Sequence, residues 1–179
     1  MFDIAKIAAE LTHGTGIPPG LVGAICLVES GGDPWAWNPE PRYRYLVDAT
    51  TCKPFRRLTQ AEGRSEQPPA DFPSMPGLAD DRDAEWWGQQ ASWGPMQVMG
   101  AVAREFGFTG HFPGLCEPKT GILYGILLLQ RLEGRYNTWS AVIAAYNAGS
   151  ARFADNGEFV NQAYVDKVRK YWPVHEGTE

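Results

Sequence analysis

Eight of the fourteen prolines, at 34, 39, 41, 54, 68, 69, 73 and 76, fall in one stretch of the chain. A proline inside a helix removes an amide donor and clashes with the preceding turn, so no long helix can cross this stretch. Residues 33–92 are therefore expected to form a long irregular excursion, with a short hairpin near Tyr43 to Phe55. A loop of that length inside a folded chain is usually functional or disordered. The predicted architecture is mainly α, with helical segments on both sides of an inserted loop region at about 38–92.

The flanks carry the helical pattern. Ile4, Ile7, Ala8 and Leu11 recur at the spacing of an amphipathic helix, which His13-Gly14-Thr15-Gly16 ends. Pro18-Pro19 then opens a second helix, since proline is accepted in a first turn. It is apolar nearly all round (Leu21, Val22, Ala24, Ile25, Val28) and stops at Gly31-Gly32. Further helices are expected over Met96 to Phe106, Lys119 to Leu132, Thr138 to Ala148 and Phe159 to Trp172. Lys167, Arg169 and Lys170 near the end of the last one suit the negative end of its dipole.

Composition narrows the function. A hydrophobic share of 44% over 179 residues describes a folded chain able to bury a core, and one domain over 1–179 is expected. The net charge of -5 gives no support to nucleic-acid binding, where a basic face is expected. Its most apolar run, Ile122 to Leu129, is too short to span a bilayer, so membrane insertion is not expected. The odd count of three cysteines, Cys26, Cys52 and Cys116, argues against a disulfide framework, and Cys26 reads as a small core residue. His13, His111 and His175 are scattered singly, so neither a metal nor a cofactor is expected.

Chemistry enters with Glu29-Ser30, in the last turn of an otherwise apolar helix. There a carboxylate meets the negative end of the helix dipole, and Trp35 and Trp37 follow closely. Both surroundings disfavour the charged form and suit a proton donor, which glycosidic cleavage requires. In Ser92-Trp93-Gly94-Pro95-Met96-Gln97-Val98 a loop enters a helix and brings Gln97 into its first turn, where an amide both donates and accepts. Ala145-Tyr146-Asn147-Ala148-Gly149 places a phenol and an amide at the end of a third apolar helix, and Tyr164-Val165 lies on the last. Trp35, Trp37, Tyr43, Tyr45, Trp86, Trp87 and Trp93 surround these motifs. They serve either as flat surfaces for sugar rings or as a satellite core for the long loop.

Taken in order, Glu29-Ser30, Gly94-Pro95-Met96-Gln97-Val98, Ala145-Tyr146-Asn147-Ala148-Gly149 and Tyr164-Val165 resemble the soluble type of lytic transglycosylase, whose fold is lysozyme-like and close to the goose-type form. Residues 92–107 resemble bacteriophage-encoded members in particular. The resemblance covers 17–37 and 91–172. It implies Glu29 as general acid and then general base, and Ser30 supporting the carboxyl or the sugar. It further implies Gln97 binding substrate, Tyr146 orienting Glu29, Asn147 contacting the glycan and Tyr164 lying near the carboxyl. Two departures stand out. Residues 31–96 separate Ser30 from Gln97, far more than the family usually allows. The position four before Tyr164, often acidic, is Val160, with Glu158 nearby.

The implied substrate is the glycan strand of peptidoglycan, cut to leave 1,6-anhydromuramic acid ends and acting in phage-mediated wall degradation. A hydrolytic lysozyme would need a second carboxylate, for which Asp83 and Glu85 are the candidates. A non-catalytic glycan-binding or virion structural protein is the reading from another class. Met1 to Lys6 lack the basic start and apolar run of a secretion signal. Synthesis in a host cytoplasm is expected, followed by action on the wall in the periplasm after release or as part of a virion. The chain is expected to be a monomer; a holin or virion partner is compatible with the sequence.

Overall fold

The computed structural model describes residues 2–78 and 80–173. Met1 and His175, both considered above, lie outside them. The mainly helical expectation holds. α1 (Ile4–Thr12) begins where the Asp3 carboxylate accepts from the Lys6 amide at 3.0 Å. α2 (Pro19–Ser30) ends at Gly31, whose φ of 65° turns the chain left-handed and lets the amides of Gly31 and Gly32 reach back to the carbonyls of Leu27 and Cys26. α2 buries Leu21, Val22, Ala24, Ile25 and Cys26, and leaves Glu29 and Ser30 half-buried at its end.

The long excursion is more ordered than its prolines suggest. β1 (Trp37–Pro39) leads to the expected short hairpin, β2 (Val47–Asp48) against β3 (Lys53–Pro54). Its turn is held by Asp48, which accepts from both the amide and the hydroxyl of Thr50 at 2.9 and 2.6 Å. Then comes α3 (Arg82–Gln89), a helix where a loop was expected. It is amphipathic but only eight residues long, and it follows directly on the proline-rich stretch, although Asp81 supplies a clear N-cap by accepting from Ala84.

A second correction concerns the stretch after Pro95. Instead of one helix from Met96, the chain makes β4 (Ala91–Trp93), a tight turn, β5 (Val98–Met99) and only then α4 (Gly100–Glu105). The turn is framed by two departures into left-handed backbone three residues apart, Gly94 at φ 72° and Gln97 at φ 48°. Gln97 therefore sits in a strand-to-strand turn and not in the first turn of a helix. β1, β4 and β5 form an antiparallel sheet in that order as β1-β4-β5, with Trp37 opposite Trp93 and Trp93 opposite Val98.

α5 (Pro118–Glu133), α6 (Trp139–Ala148) and α7 (Gln162–Tyr171) complete the chain. The last starts three residues later than expected, because Phe159 pairs instead with Phe153 in an isolated antiparallel bridge. The main core gathers α1, α2, α5, α6 and α7 around Leu21, Ile25, Met96, Ile126, Leu129 and Ile143. Each such side chain stabilises the fold by about 1.5–3 kcal/mol on burial. A second cluster, Leu46, Phe72 and Trp86 with Tyr43, Phe55 and Leu58 against it, organises the excursion.

The two clusters meet at the α3–α4 crossing. Gly100 starts α4 so close to α3 that a Cβ there would stand 2.0 Å from the Gly88 carbonyl oxygen. Gln89 of α3 reaches the hairpin, donating to the Val47 carbonyl and accepting from its amide, each at 2.8 Å. These bonds hold the excursion against the helical body.

Candidate active site

The end of α2 and the turn after β4 are tied together by the residues the motifs singled out. The Ser30 hydroxyl lies 2.8 Å from the Pro95 carbonyl and 3.0 Å from the Cys26 carbonyl, and accepts from the Gly32 amide at 3.2 Å. The Tyr146 hydroxyl donates to the next carbonyl, that of Met96, at 2.8 Å. Gln97 finishes the turn. Its amide nitrogen donates to the carbonyls of Ala36 and Gly94 at 3.0 and 2.9 Å, and its oxygen accepts from Ser92 at 2.9 Å.

Ser30, Gln97 and Tyr146, which come from three distant parts of the chain, thus converge on one tight turn. Ser30 bonds to backbone and not to the Glu29 carboxyl. Both functional ends of Gln97 are already engaged within the protein. Tyr146 holds the turn, whereas the group bonded to Glu29 is Tyr164, whose hydroxyl donates to Oε1 at 2.6 Å. The phenol expected to lie near the carboxyl is the one that orients it.

Glu29 is half-buried, and the ionisable groups around it respond accordingly. Burial raises the Glu29 pKa above its ordinary value, and the bond from Tyr164 offsets only part of that rise. Cys26, three residues earlier, is pushed up to about 12, mainly by burial and further by the Glu29 charge. Tyr146 and Tyr164 are both raised, first by burial and then by Glu29, so each remains a neutral donor. With Tyr164 bonded to Oε1, Oε2 has no hydrogen-bond partner among the described residues and is the oxygen left free for a proton.

Asn147 is bonded through its oxygen to the Asn161 side-chain amide at 3.0 Å, and the same amide reaches the Ala144 carbonyl at 3.0 Å. Asn161 thereby joins the end of α6 to the start of α7, and with it fixes Tyr164. The motifs did not point to Asn161; the only available signal was an asparagine three residues before that tyrosine. Val160 is exposed, and Glu158 accepts from Asn156 at 2.8 Å.

The two candidate second carboxylates part company. Asp83 is exposed on the first turn of α3. Glu85 is buried, and its two oxygens accept from Nε and Nη2 of Arg104, both at 2.9 Å. Gln89 donates to Glu85 as well, at 2.8 Å. A carboxylate held in this way serves as the counter-ion of a buried guanidinium and is not free to activate water. Among the described residues no group of three or more His, Cys, Asp and Glu side chains could hold a metal, and no helix is long and apolar enough to cross a membrane. All three cysteines are free thiols, with Cys26 and Cys116 buried and Cys52 exposed.

The aromatic residues divide between the two roles considered for them. Trp86 is 1% exposed and belongs to the satellite core, stacked edge-on with Phe72. Trp37, 59% exposed, lies flat on Trp93 with ring centres 5.9 Å apart, and Trp93 lies in the same way on Phe112. A groove of about 420 Å³ runs beside this stack, lined also by Trp87, Met75 and Leu78. Such flat, open indole faces are the kind that cover the C–H faces of sugars.

A family model of the transglycosylase SLT domain matches residues 6–164, from α1 to Tyr164 itself. The chain belongs to that family. The SLT match runs through the 38–92 excursion, and the predominance of helices accords with the family's lysozyme-like fold. Membership supports a lytic transglycosylase with peptidoglycan as substrate. Comparison with curated proteins and with solved structures gives no significant match.

Proposed function

We propose that this SLT-family protein cuts the β-1,4 bond between N-acetylmuramic acid and N-acetylglucosamine, with Glu29 as its single acid and base. One observation carries this reading: a carboxyl with a raised pKa, fixed through Oε1 by Tyr164 and unbonded at Oε2, while the other candidate carboxylates are exposed or paired.

The steps follow from that geometry. Protonated Glu29 gives its Oε2 proton to the bridging oxygen, and the C1–O bond breaks as the leaving sugar takes that proton. The neighbouring N-acetyl group stabilises the developing positive charge at C1. Glu29, now ionised, takes the proton of the muramic acid's own C6 hydroxyl, and that oxygen closes onto C1. The product is a 1,6-anhydro ring; no water enters the balance, and Glu29 ends protonated as it began. A half-buried carboxyl with a raised pKa suits both halves, since it keeps its proton to higher pH than an ordinary glutamate and, once ionised, takes one back readily. Tyr164 stabilises the ionised intermediate state by keeping its hydrogen bond to Oε1.

Wall degradation during phage infection is the biological setting we propose, on the strength of the resemblance of residues 92–107 to bacteriophage-encoded members. The site of action is then the periplasmic wall, reached by release from a host cytoplasm or on a virion. The test of the catalytic assignment is release of soluble fragments from purified peptidoglycan by the Glu29→Gln protein. Loss of release by a protein that still unfolds cooperatively, at a Tm no lower than wild type, is the expected result, and full release would remove Glu29 from the mechanism.

A further inference from the structure

The 42–64 segment reverses the charge of the chain. It holds six cations (Arg42, Arg44, Lys53, Arg56, Arg57, Arg64) against Asp48 and Glu62, in a protein of net charge -5. The hairpin, the turn that follows it and one side of α4 enclose a cavity of about 910 Å³. Arg44, Arg57 and Arg64 all line it, with Tyr45, Phe55 and Leu58 among the other walls.

The nearby acids are committed elsewhere. Glu62 and Asp71 both pair with Arg56, each at 2.6 Å, and Arg56 is not among the cavity's lining residues. Glu105, the one acid on the cavity wall, pairs with Arg131 at 2.8 Å. Arg44, Arg57 and Arg64 have no ion-pair partner among the described residues. Gly63 contributes by its missing side chain: a Cβ there would stand 2.9 Å from the Arg44 Nε, so this guanidinium lies directly against the 62–64 turn. Three cations around one concave surface without neutralising acids focus a positive potential in it.

We propose that this cavity binds a linear phosphodiester polymer of the bacterial envelope, with Arg57 and Arg64 on its phosphates and Arg44, whose Nη1 donates to the Pro41 carbonyl at 3.0 Å, adding positive charge to the wall. Guanidinium forks match phosphate oxygens in both geometry and charge. The cavity is many times larger than one phosphate group. Phe55, Leu58 and Tyr45 offer apolar surface to the carbon units between the phosphates. The site would retain the protein at the envelope without touching the chemistry at Glu29, and it does not depend on the reaction assigned there.

The test is calorimetric titration of the full chain with a short synthetic poly(glycerol phosphate). Arg57→Gln/Arg64→Gln would be compared with the wild type and with Arg135→Gln/Arg152→Gln, which removes the same charge from exposed sites outside the cavity. Wild-type binding that falls at least about tenfold in the cavity variant and persists in the control is the expected result. Peptidoglycan freed of phosphate polymers should be cut equally by all three proteins. No binding by the wild type, or an equal loss in the control, would overturn the proposal. Inorganic phosphate binding as tightly as the polymer would reduce the site to a single-phosphate pocket. Cavity-dependent binding to phosphatidylglycerol vesicles but not to the polymer would assign the site to lipid headgroups instead.

Discussion

Replacing Glu85 by glutamine separates a structural carboxylate from a catalytic one. The side chain keeps its shape but loses the charge that neutralises Arg104, which is 1% exposed and bonded through Nη1 to the carbonyls of Phe108 and Gly110. The Phe112 ring lies 4.2 Å from the guanidinium carbon and seals it further from water. Removing one partner of a buried ion pair strands the other charge and costs about 3–5 kcal/mol. For a chain of this size each kcal/mol lowers Tm by about 2–4 °C, so a fall on the order of 10 °C is expected. Arg104 also holds the 108–110 loop against α3, so the loss should be cooperative. Calorimetry gives the fall, and fragment release measured well below the lowered Tm should stay close to wild type. A Glu85→Gln protein with unchanged Tm and abolished glycan cleavage would refute this reasoning and make Glu85 the water-activating group of a hydrolase.

Other consequences follow from single contacts. Tyr164→Phe removes the donor that lowers the Glu29 pKa, so the alkaline fall of activity should move to higher pH; a pH profile that does not move would show that the bond has no influence on the acid. Burial raises the Glu29 pKa, so its stabilising contribution is complete below the ordinary glutamate value of 4.5 and is lost as pH rises through the folded value. Glu29→Gln should therefore melt higher than wild type at neutral pH, with the gap closing in acid, and thermal melts across pH check it. Gly94→Ala places a Cβ 2.1 Å from the Leu115 carbonyl oxygen at a φ of 72°, where left-handed backbone alone costs about 1–2 kcal/mol. It should lower both Tm and cleavage, since the turn anchored by Ser30, Gln97 and Tyr146 has to shift.

The helical flanks were legible because burial imposes their periodicity: α2 shows five buried apolar positions and a glycine stop, and its last turn delivers Glu29. The short elements were not. α3 has eight residues, and its buried face carries Glu85 and Gln89 beside Trp86, so no apolar stripe marks it. The turn at Pro95 was mistaken for a helix start because proline suits both settings, and nothing local announces a left-handed glutamine at 97. At the site, the residue types were visible and their partners were not. A tyrosine reads the same whether it holds a carboxylate, as Tyr164 does, or a backbone carbonyl, as Tyr146 does. Only the packing of α7 on α2 distinguishes them. Glu85 likewise looked available, because its partner Arg104 lies nineteen residues away on another helix.

The chemistry at Glu29 is tested most directly by the mass of the soluble products that the wild-type protein releases from purified peptidoglycan. An intramolecular transfer predicts fragments ending in 1,6-anhydromuramic acid, each one water lighter than the corresponding reducing-end fragment, and their disappearance with Glu29→Gln. Reducing-end fragments from the wild type would contradict the single-carboxyl account and require a group that activates water.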